Sequence, residues 1–320
     1  MGPRKSLDGA ALRANVAAFA ALGAPVAAVV KHDGYGWGAR AIAREIDGVV
    51  ESYVVNDVDE LAALRPATAR PIRLLADAPS GTLDAALALD GIPNVSSADA
   101  LAEAHHAARL RGGLVVRVGV CDAIGWNAVL PREIDAFARA CAGGDLRVET
   151  WTHVTAPDRA DAARANLAAL RAALAENGVA LAAGDLASTG SAAPGGGFAR
   201  TRVGVGLFGA TLGNGLALRC ALRVHGTVVR RHAAGAGIWA GYGHVSIAPD
   251  VAVAVVRCGY GDGLPRGLAG SADIIAVGMQ YLTRVDRAAD PGDVMNADTD
   301  LDAMATFAGI TAHQLVVGLA

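Results

Sequence analysis

Lysine is almost missing from this 320-residue chain: of 28 basic residues, only Lys5 and Lys31 are lysines. Aromatics are also scarce, at 4%, against 53% hydrophobic residues, so the core must be built mainly of Ala, Val and Leu. The cysteines at 121, 141, 220 and 258 form no CxxC pair, which excludes a thiol-based metal or redox motif. No histidine spacing of the HExxH kind occurs, and no metal site is expected. No uncharged apolar run approaches the ~20 residues that span a bilayer. The segment MGPRKSLDGAALRANV lacks the apolar core of a signal peptide, so a cytoplasmic protein is expected. The net charge of -3 gives no reason to expect nucleic acid or an anionic membrane as a partner.

Against so strong a bias toward arginine, a retained lysine draws notice wherever arginine cannot replace it. Arginine neither forms a Schiff base nor yields a proton near neutral pH. Lys5 sits in a polar N-terminal segment, whereas Lys31 ends the apolar run Val26–Val30.

Up to about residue 210, short apolar runs alternate with Ala-rich stretches of helical length. Strands are predicted at Val26–Val30, Ser52–Val55, Ile72–Leu75, Asn94–Ser96, Leu114–Val118, Val148–Val154, Asp185–Ser188 and Val203–Leu207. Helices are predicted between them at Ala10–Leu22, Ala39–Glu45, Thr82–Leu89, Ala98–Leu110, Pro131–Ala140 and Ala160–Glu176. This alternation argues for parallel βαβ units. Eight such strands suggest a closed (β/α)8 TIM-like barrel, with an open doubly wound sheet second. No GxGxxG follows the first strand, which weakens a dinucleotide reading. From residue 214 onward the pattern changes to strands at Leu218–Val229, Val251–Arg257, Ile274–Val277 and Leu282–Val285, with a helix at Leu301–Phe307. The fold class is therefore α/β: a barrel over residues 1–213 and a mostly-β domain over 214–320, with which the first few residues are expected to pair.

In a barrel the C-terminal strand ends carry the active site. Lys31 stands at the end of the first strand, before the Gly-rich run His32-Asp33-Gly34-Tyr35-Gly36-Trp37-Gly38. Burial would lower its pKa and allow it to act as nucleophile and base. The plainer reading is a strand-end lysine whose amine reaches out to water.

The segment Val29–Gly38 is similar to the VVKANAYGHG segment of alanine racemases, which holds pyridoxal 5'-phosphate on its lysine and touches the phosphate with its tyrosine. The resemblance places Lys31 and Tyr35 in those roles. Further matches follow in order. Thr152-His153-Val154-Thr155 resembles SHFA, implying that His153 lies beside the cofactor ring. Ala187-Ser188-Thr189-Gly190-Ser191 resembles ANSAG, implying phosphate binding by Thr189. Arg202–Gly209 resembles RPGIALYG, implying that Arg202 faces the pyridine nitrogen and that the Gly204 and Val205 amides cradle phosphate. Arg257–Arg266 resembles IGYADGYPR, implying that Tyr260 is the second catalytic base. Gly241-Tyr242-Gly243 is similar to another element of that domain.

The resemblance implies an amino-acid racemase, most simply one that interconverts L- and D-alanine with Lys31 and Tyr260 on opposite faces of the substrate, feeding D-alanine biosynthesis. It also implies a head-to-tail homodimer whose Tyr260 comes from the partner chain. Arg202 argues against a decarboxylase of the same fold, which uses an acidic residue there. The substrate side departs from the family. No arginine stands at the carboxylate position, near which Trp126 or Ile124 falls, and Arg117 replaces a lysine. Met279-Gln280-Tyr281 replaces SMD, making Gln280 the candidate substrate donor, and His313 replaces a phosphate tyrosine. A racemase for another amino acid, or an inactive cofactor-binding homologue, are the alternatives.

Overall fold

The computed structural model describes residues 2–77, 81–121, 127–154, 157–192, 199–235, 239–241, 243–271, 273–286 and 292–320. After a short strand β1 (Arg4–Leu7), eight strands carry the first part of the chain: β2 (Val26–Val29), β3 (Ser52–Val55), β4 (Ile72–Asp77), β5 (Gly91–Asn94), β6 (Leu114–Val120), β7 (Leu146–Thr152), β8 (Ala180–Ser188) and β9 (Arg200–Val203). Each pairs in parallel with the next, and β9 returns to β2 through Ala27↔Arg202 and Ala28↔Val203, closing the barrel.

Helices cover the outside. That at Ala160–Glu176 buries Ala163, Leu167, Leu170, Ala173 and Leu174, the spacing of one helical stripe. The helices at Gly9–Ala20, Val58–Leu64 and Ala98–Arg111 begin on Asp8, Asp57 and Ser97, whose side chains accept from free first-turn amides. Small residues on these faces bring helix and sheet close, so few aromatics are needed. Phe19, Tyr35, Tyr53, Trp151 and Phe208 are, among the described residues, the large rings buried in the barrel half.

The remaining chain forms β10 (Leu222–His225), β11 (Thr227–His232), β12 (Trp239–Ala240), β13 (Val245–Ser246), β14 (Val253–Arg257), β15 (Ile274–Val277), β16 (Leu282–Val285) and β17 (Asp293–Met295), all antiparallel. β1 pairs with β10, so the N-terminal residues do join the second unit. Helices at Leu301–Phe307 and Ala312–Gly318 complete it, and the second packs back toward the barrel.

Three sequence expectations shift. The strand expected at Asn94–Ser96 lies earlier, at Gly91–Asn94, because Ser96 is drawn off to Asp77, donating through its amide and hydroxyl. The strand expected at Val203–Leu207 ends at Val203 and turns into a 3₁₀ segment, Val205–Phe208. The single strand expected over Leu218–Val229 is two, broken at Gly226. A Cβ there would stand 2.5 Å from Val256 Cγ1 and 2.8 Å from the Arg257 carbonyl, so the chain can bend against β14 only without a side chain. The helix Ala312–Gly318 and the β12–β13 hairpin carry too little periodicity to have been foreseen.

Candidate active site

Bonds between strands that are not neighbours must cross the barrel interior, and they identify its inward faces. Arg73 on β4 donates to Glu149 on β7 through Nε at 2.7 Å, and Arg200 on β9 reaches Glu149 at 3.1 Å. Arg73 and Arg200 also meet Glu51, at 3.2 and 3.5 Å. Arg117 lies 4.0 Å from Glu149 and donates to the Leu74 carbonyl at 3.0 Å. The lower interior is thus an ion cluster of three guanidiniums and two carboxylates. Charges taken this far out of water persist only when so compensated. Strand alternation then dictates what stands above. Two residues on from Glu149 is Trp151, then His153; two on from Arg200 is Arg202; two on from Val29 is Lys31.

These upper residues line a cavity of about 630 Å³ with Tyr35, Asn56, Asn127, Ser188, Thr189, Ser191, Gly204, Val205 and His313. No carboxylate lines it among the described residues. Burial lowers the pKa of Lys31, and Arg202 adds to the effect against an opposing pull from Glu60. His153 is pushed down to about 3 by burial, then by Arg202, Lys31 and His313. Burial and Lys31 also lower His313, which Asp302 partly offsets. The cavity is a place for an anion.

The loop after Lys31 is wound the wrong way. His32, Asp33, Gly34, Tyr35 and Gly36 all have positive φ, between 47° and 84°. Such a run costs free energy in L-residues and survives only when its surroundings fix it. Here Gly34 N–H donates to Val30 O at 2.8 Å, Gly36 N–H to His32 O at 2.7 Å, and Gly38 N–H to Asp33 O at 2.8 Å. Glu60 accepts from His32 N–H at 2.6 Å, Asp33 from Ala39 N–H at 2.8 Å, and the Val316 carbonyl from the Trp37 indole at 2.9 Å. The left-handed turn swings Tyr35 inward, where its ring meets Phe208 edge-on at 5.6 Å and lies 6.2 Å from His313.

Opposite Tyr35 is the turn after β9. The amides of Gly204 and Gly206 both point at Thr189 Oγ1, at 3.3 and 3.4 Å. A Cβ on Gly204 would stand 2.1 Å from the Tyr35 hydroxyl. Backbone donors, a threonine hydroxyl and a tyrosine hydroxyl therefore converge on a cradle that exists because residue 204 has no side chain.

All of the expected barrel residues, Lys31, Tyr35, His153, Thr189, Arg202, Gly204 and Val205, line this one cavity. His313, from the far end of the sequence, joins them. Tyr260 and Gln280 do not. Tyr260 is 37% exposed in a turn held by its N–H bond to Gly278 O at 2.9 Å. Gln280 is exposed beside it, its carbonyl accepting from Arg257 at 2.9 Å. Tyr242, Ile124 and Trp126 lie outside the described residues. Sequence reading missed Trp151, Asn56, Ser188 and Ser191 as cavity walls. Counting back by two from His153 would have found Trp151.

A closed α/β barrel with a half-buried lysine at a strand end, in a mouth lined by cationic and polar side chains, has the architecture of a barrel enzyme whose site sits at the C-terminal strand ends. Residues 7–212 match the family model "Alanine racemase, N-terminal domain". The chain is 33% identical over 306 residues to an alanine racemase of Beutenbergia cavernae, covering 86% of this chain and 79% of that one. It is 31% identical over 281 residues to an alanine racemase of Halorhodospira halophila, covering 82% and 76%. In fold it resembles the alanine racemase from Bartonella henselae with covalently bound pyridoxal phosphate, with a TM-score of 0.80, 18% identity, and coverage of 100% of this chain and 98% of that one. The chain belongs to the alanine racemase family.

Proposed function

We infer that this chain is a pyridoxal-phosphate-dependent isomerase that interconverts L- and D-alanine, and we propose the following division of labour. The observation that supports it best is the convergence of the Lys31 amine, the Arg202 guanidinium and the Gly204 cradle on one cavity. The donor set fits the cofactor: a reactive amine for its aldehyde, backbone and hydroxyl donors for its phosphate, and a cationic wall for its negative charge.

When bound, pyridoxal phosphate withdraws electrons from the Cα of an attached amino acid and makes that C–H acidic. Lys31 would hold the cofactor and, being half-buried and shifted toward its neutral form, accept the Cα proton on one face. Tyr35, Thr189 and the amides of Gly204 and Val205 hold the phosphate, and His313 stands beside Tyr35 as a further donor. Arg202 would face the ring nitrogen and, as a guanidinium, keep its own protons, so electron withdrawal would be restrained and simple return of the proton favoured. His153 stays neutral at the ring. Tyr260 returns a proton to the other face, and the opposite enantiomer reverses the two roles.

Tyr260 lies outside its own chain's cavity, which supports supply of this residue by a second copy in a head-to-tail dimer. We place the boundary between the two units near Gly213. Gln280, in the same exposed turn region as Tyr260, then approaches the substrate of the partner's site.

Mixing a Lys31→Ala protein with a Tyr260→Phe protein, unfolding and refolding them together, tests this. If each site takes Lys31 from one chain and Tyr260 from the other, a hybrid dimer has one intact site. Random pairing then restores about a quarter of wild-type racemisation. If both residues act within one chain, no dimer in the mixture has an intact site and no activity returns.

A further inference from the structure

Trp151 heads the fully buried side chains by volume and walls the cavity. Its surroundings are more specific than filling space requires. The indole N–H donates to Asn94 Oδ1 at 2.7 Å. Asn94 in turn donates to Asp77 at 2.7 Å and to the Asn127 carbonyl at 2.9 Å. One edge of the ring is therefore pinned to β4 and β5 across the barrel. Room for the ring comes from Gly119 on β6, where a Cβ would stand 2.3 Å from Cε2 and 2.5 Å from Cζ2. Two guanidiniums lie over the indole, with Cζ of Arg202 at 5.0 Å and Cζ of Arg117 at 5.5 Å from its centroid. Arg202 is also tied at one end, donating to the Thr152 carbonyl.

We propose that Trp151 is a positioning residue: its pinned indole holds the Arg202 guanidinium by a cation–π contact in the orientation from which it faces the cofactor ring. This rests on the reading of Arg202 given above. Indole is the best aromatic partner for a guanidinium, and the contact strengthens where water is excluded. The type of support matters as well as its strength. A carboxylate in this place would cancel the charge of Arg202 and could relay a proton, whereas an aromatic face orients the guanidinium and leaves it fully cationic. Trp151 thus preserves the property for which Arg202 is useful at that position.

The test is a double-mutant cycle read on cofactor binding, with no turnover involved. Dissociation constants for pyridoxal phosphate and the visible absorption band of the bound cofactor are measured for wild type, Trp151→Leu, Arg202→Gln and the double variant. Arg202→Gln should weaken binding and shift the band. Trp151→Leu should weaken binding about tenfold and move the band in the same direction, and should have no further effect once Arg202 is gone. Trp151→Phe keeps an aromatic face and most of the volume, and should lose only about threefold, again only while Arg202 is present. It carries the test if the leucine variant does not fold. The proposal is overturned if Trp151 variants bind normally, or if their loss persists undiminished in the Arg202→Gln background, which is the signature of a wall that merely fills space. If Arg202→Gln changes neither affinity nor band, the role of Arg202 fails first and takes this proposal with it.

Discussion

Gly204→Ala should damage the site in a way that one other substitution repairs. The added methyl would sit 2.1 Å from the Tyr35 hydroxyl, about 1.3 Å short of the 3.4 Å at which ordinary contact begins. Tyr35 has little freedom to retreat, because Phe208 meets its ring edge-on and the left-handed turn fixes its backbone. Overpacking of this kind costs about 1–3 kcal/mol. The entropy removed from the unfolded chain by replacing glycine returns about 0.4–1 kcal/mol, so a net loss of about 1–2 kcal/mol is expected. Pyridoxal phosphate should bind at least about tenfold more weakly, because the methyl or the displaced hydroxyl takes phosphate space. Tyr35→Phe deletes the clashing atom. The nearest ring atom is then Cζ at 3.1 Å, a shortfall of about 0.3 Å that a small ring shift absorbs. In urea unfolding of the cofactor-free protein, the Tyr35→Phe/Gly204→Ala pair should therefore be about as stable as Tyr35→Phe alone, a coupling of about 1 kcal/mol or more. Additive losses, or an undamaged Gly204→Ala protein, would refute the packing argument and with it the claim that residue 204 is small to make the cradle.

Glu149→Gln should destabilise the protein by about 3–5 kcal/mol in urea unfolding, since it removes the carboxylate shared by the buried guanidiniums of Arg73, Arg117 and Arg200, of which Arg73 and Arg200 keep Glu51. A loss below about 1 kcal/mol would mean that water already reaches the cluster. His153 and His313 give a pH signature. Their folded-state pKa values lie below the ordinary histidine value, so the unfolded chain binds more protons, and stability falls as pH drops below about 6.5, with the His153 penalty complete near 3. The slope is at most about 1.4 kcal/mol per pH unit for each proton. His313 is exposed, so water screens its share of this slope; replacing His153 with glutamine should flatten the urea midpoint between pH 6 and 4, roughly the span in which it is held neutral, and an unchanged slope would show that His153 is not desolvated as described.

Much of the barrel was legible because each βα repeat carries its own signals. Ala160–Glu176 shows a helical stripe, and Ser52–Val55 is a short apolar run between polar turns. Both elements fall where periodicity puts them. Errors gathered where a tertiary contact overrules local preference. Val205–Phe208 is apolar enough to read as strand, but it coils because the Gly204 and Gly206 amides turn toward Thr189. Lys31 could be picked out from composition because arginine could not do the work proposed for it, and the structure places it in the cavity wall. Tyr35, Thr189 and Arg202 needed the family resemblance, since each belongs to a residue type that usually serves structure. Trp151 escaped both routes. It matches no motif, and its importance lies in contacts to β4, β5, β6 and β9 that exist only once the barrel closes.

The arginine bias and the lone barrel lysine are two sides of one electrostatic design. The barrel interior is unusually charged, and the charge changes character with depth. At the bottom, Arg73, Arg117 and Arg200 are matched by Glu149 and Glu51. Guanidiniums suit this layer because they stay protonated and share several carboxylate oxygens at once. At the mouth, Arg202, Lys31 and two histidines face the cavity with no lining carboxylate among the described residues. If all four were protonated they would repel one another, so the group easiest to discharge yields first. Arginine keeps its charge, while burial first and the neighbouring cations second push the histidines toward neutrality. Burial also lowers Lys31, with Arg202 adding to it against the larger opposing pull of Glu60. Exchanging the two residue types would defeat both functions: a lysine in the lower cluster could lose its charge, and an arginine at 31 could neither join a carbonyl nor accept a proton. The same reasoning explains why the support over Arg202 is an indole rather than an acid. A carboxylate beside it would cancel the charge that Arg202 brings to the cavity and, on the proposed reading, weaken the hold on a phosphate dianion.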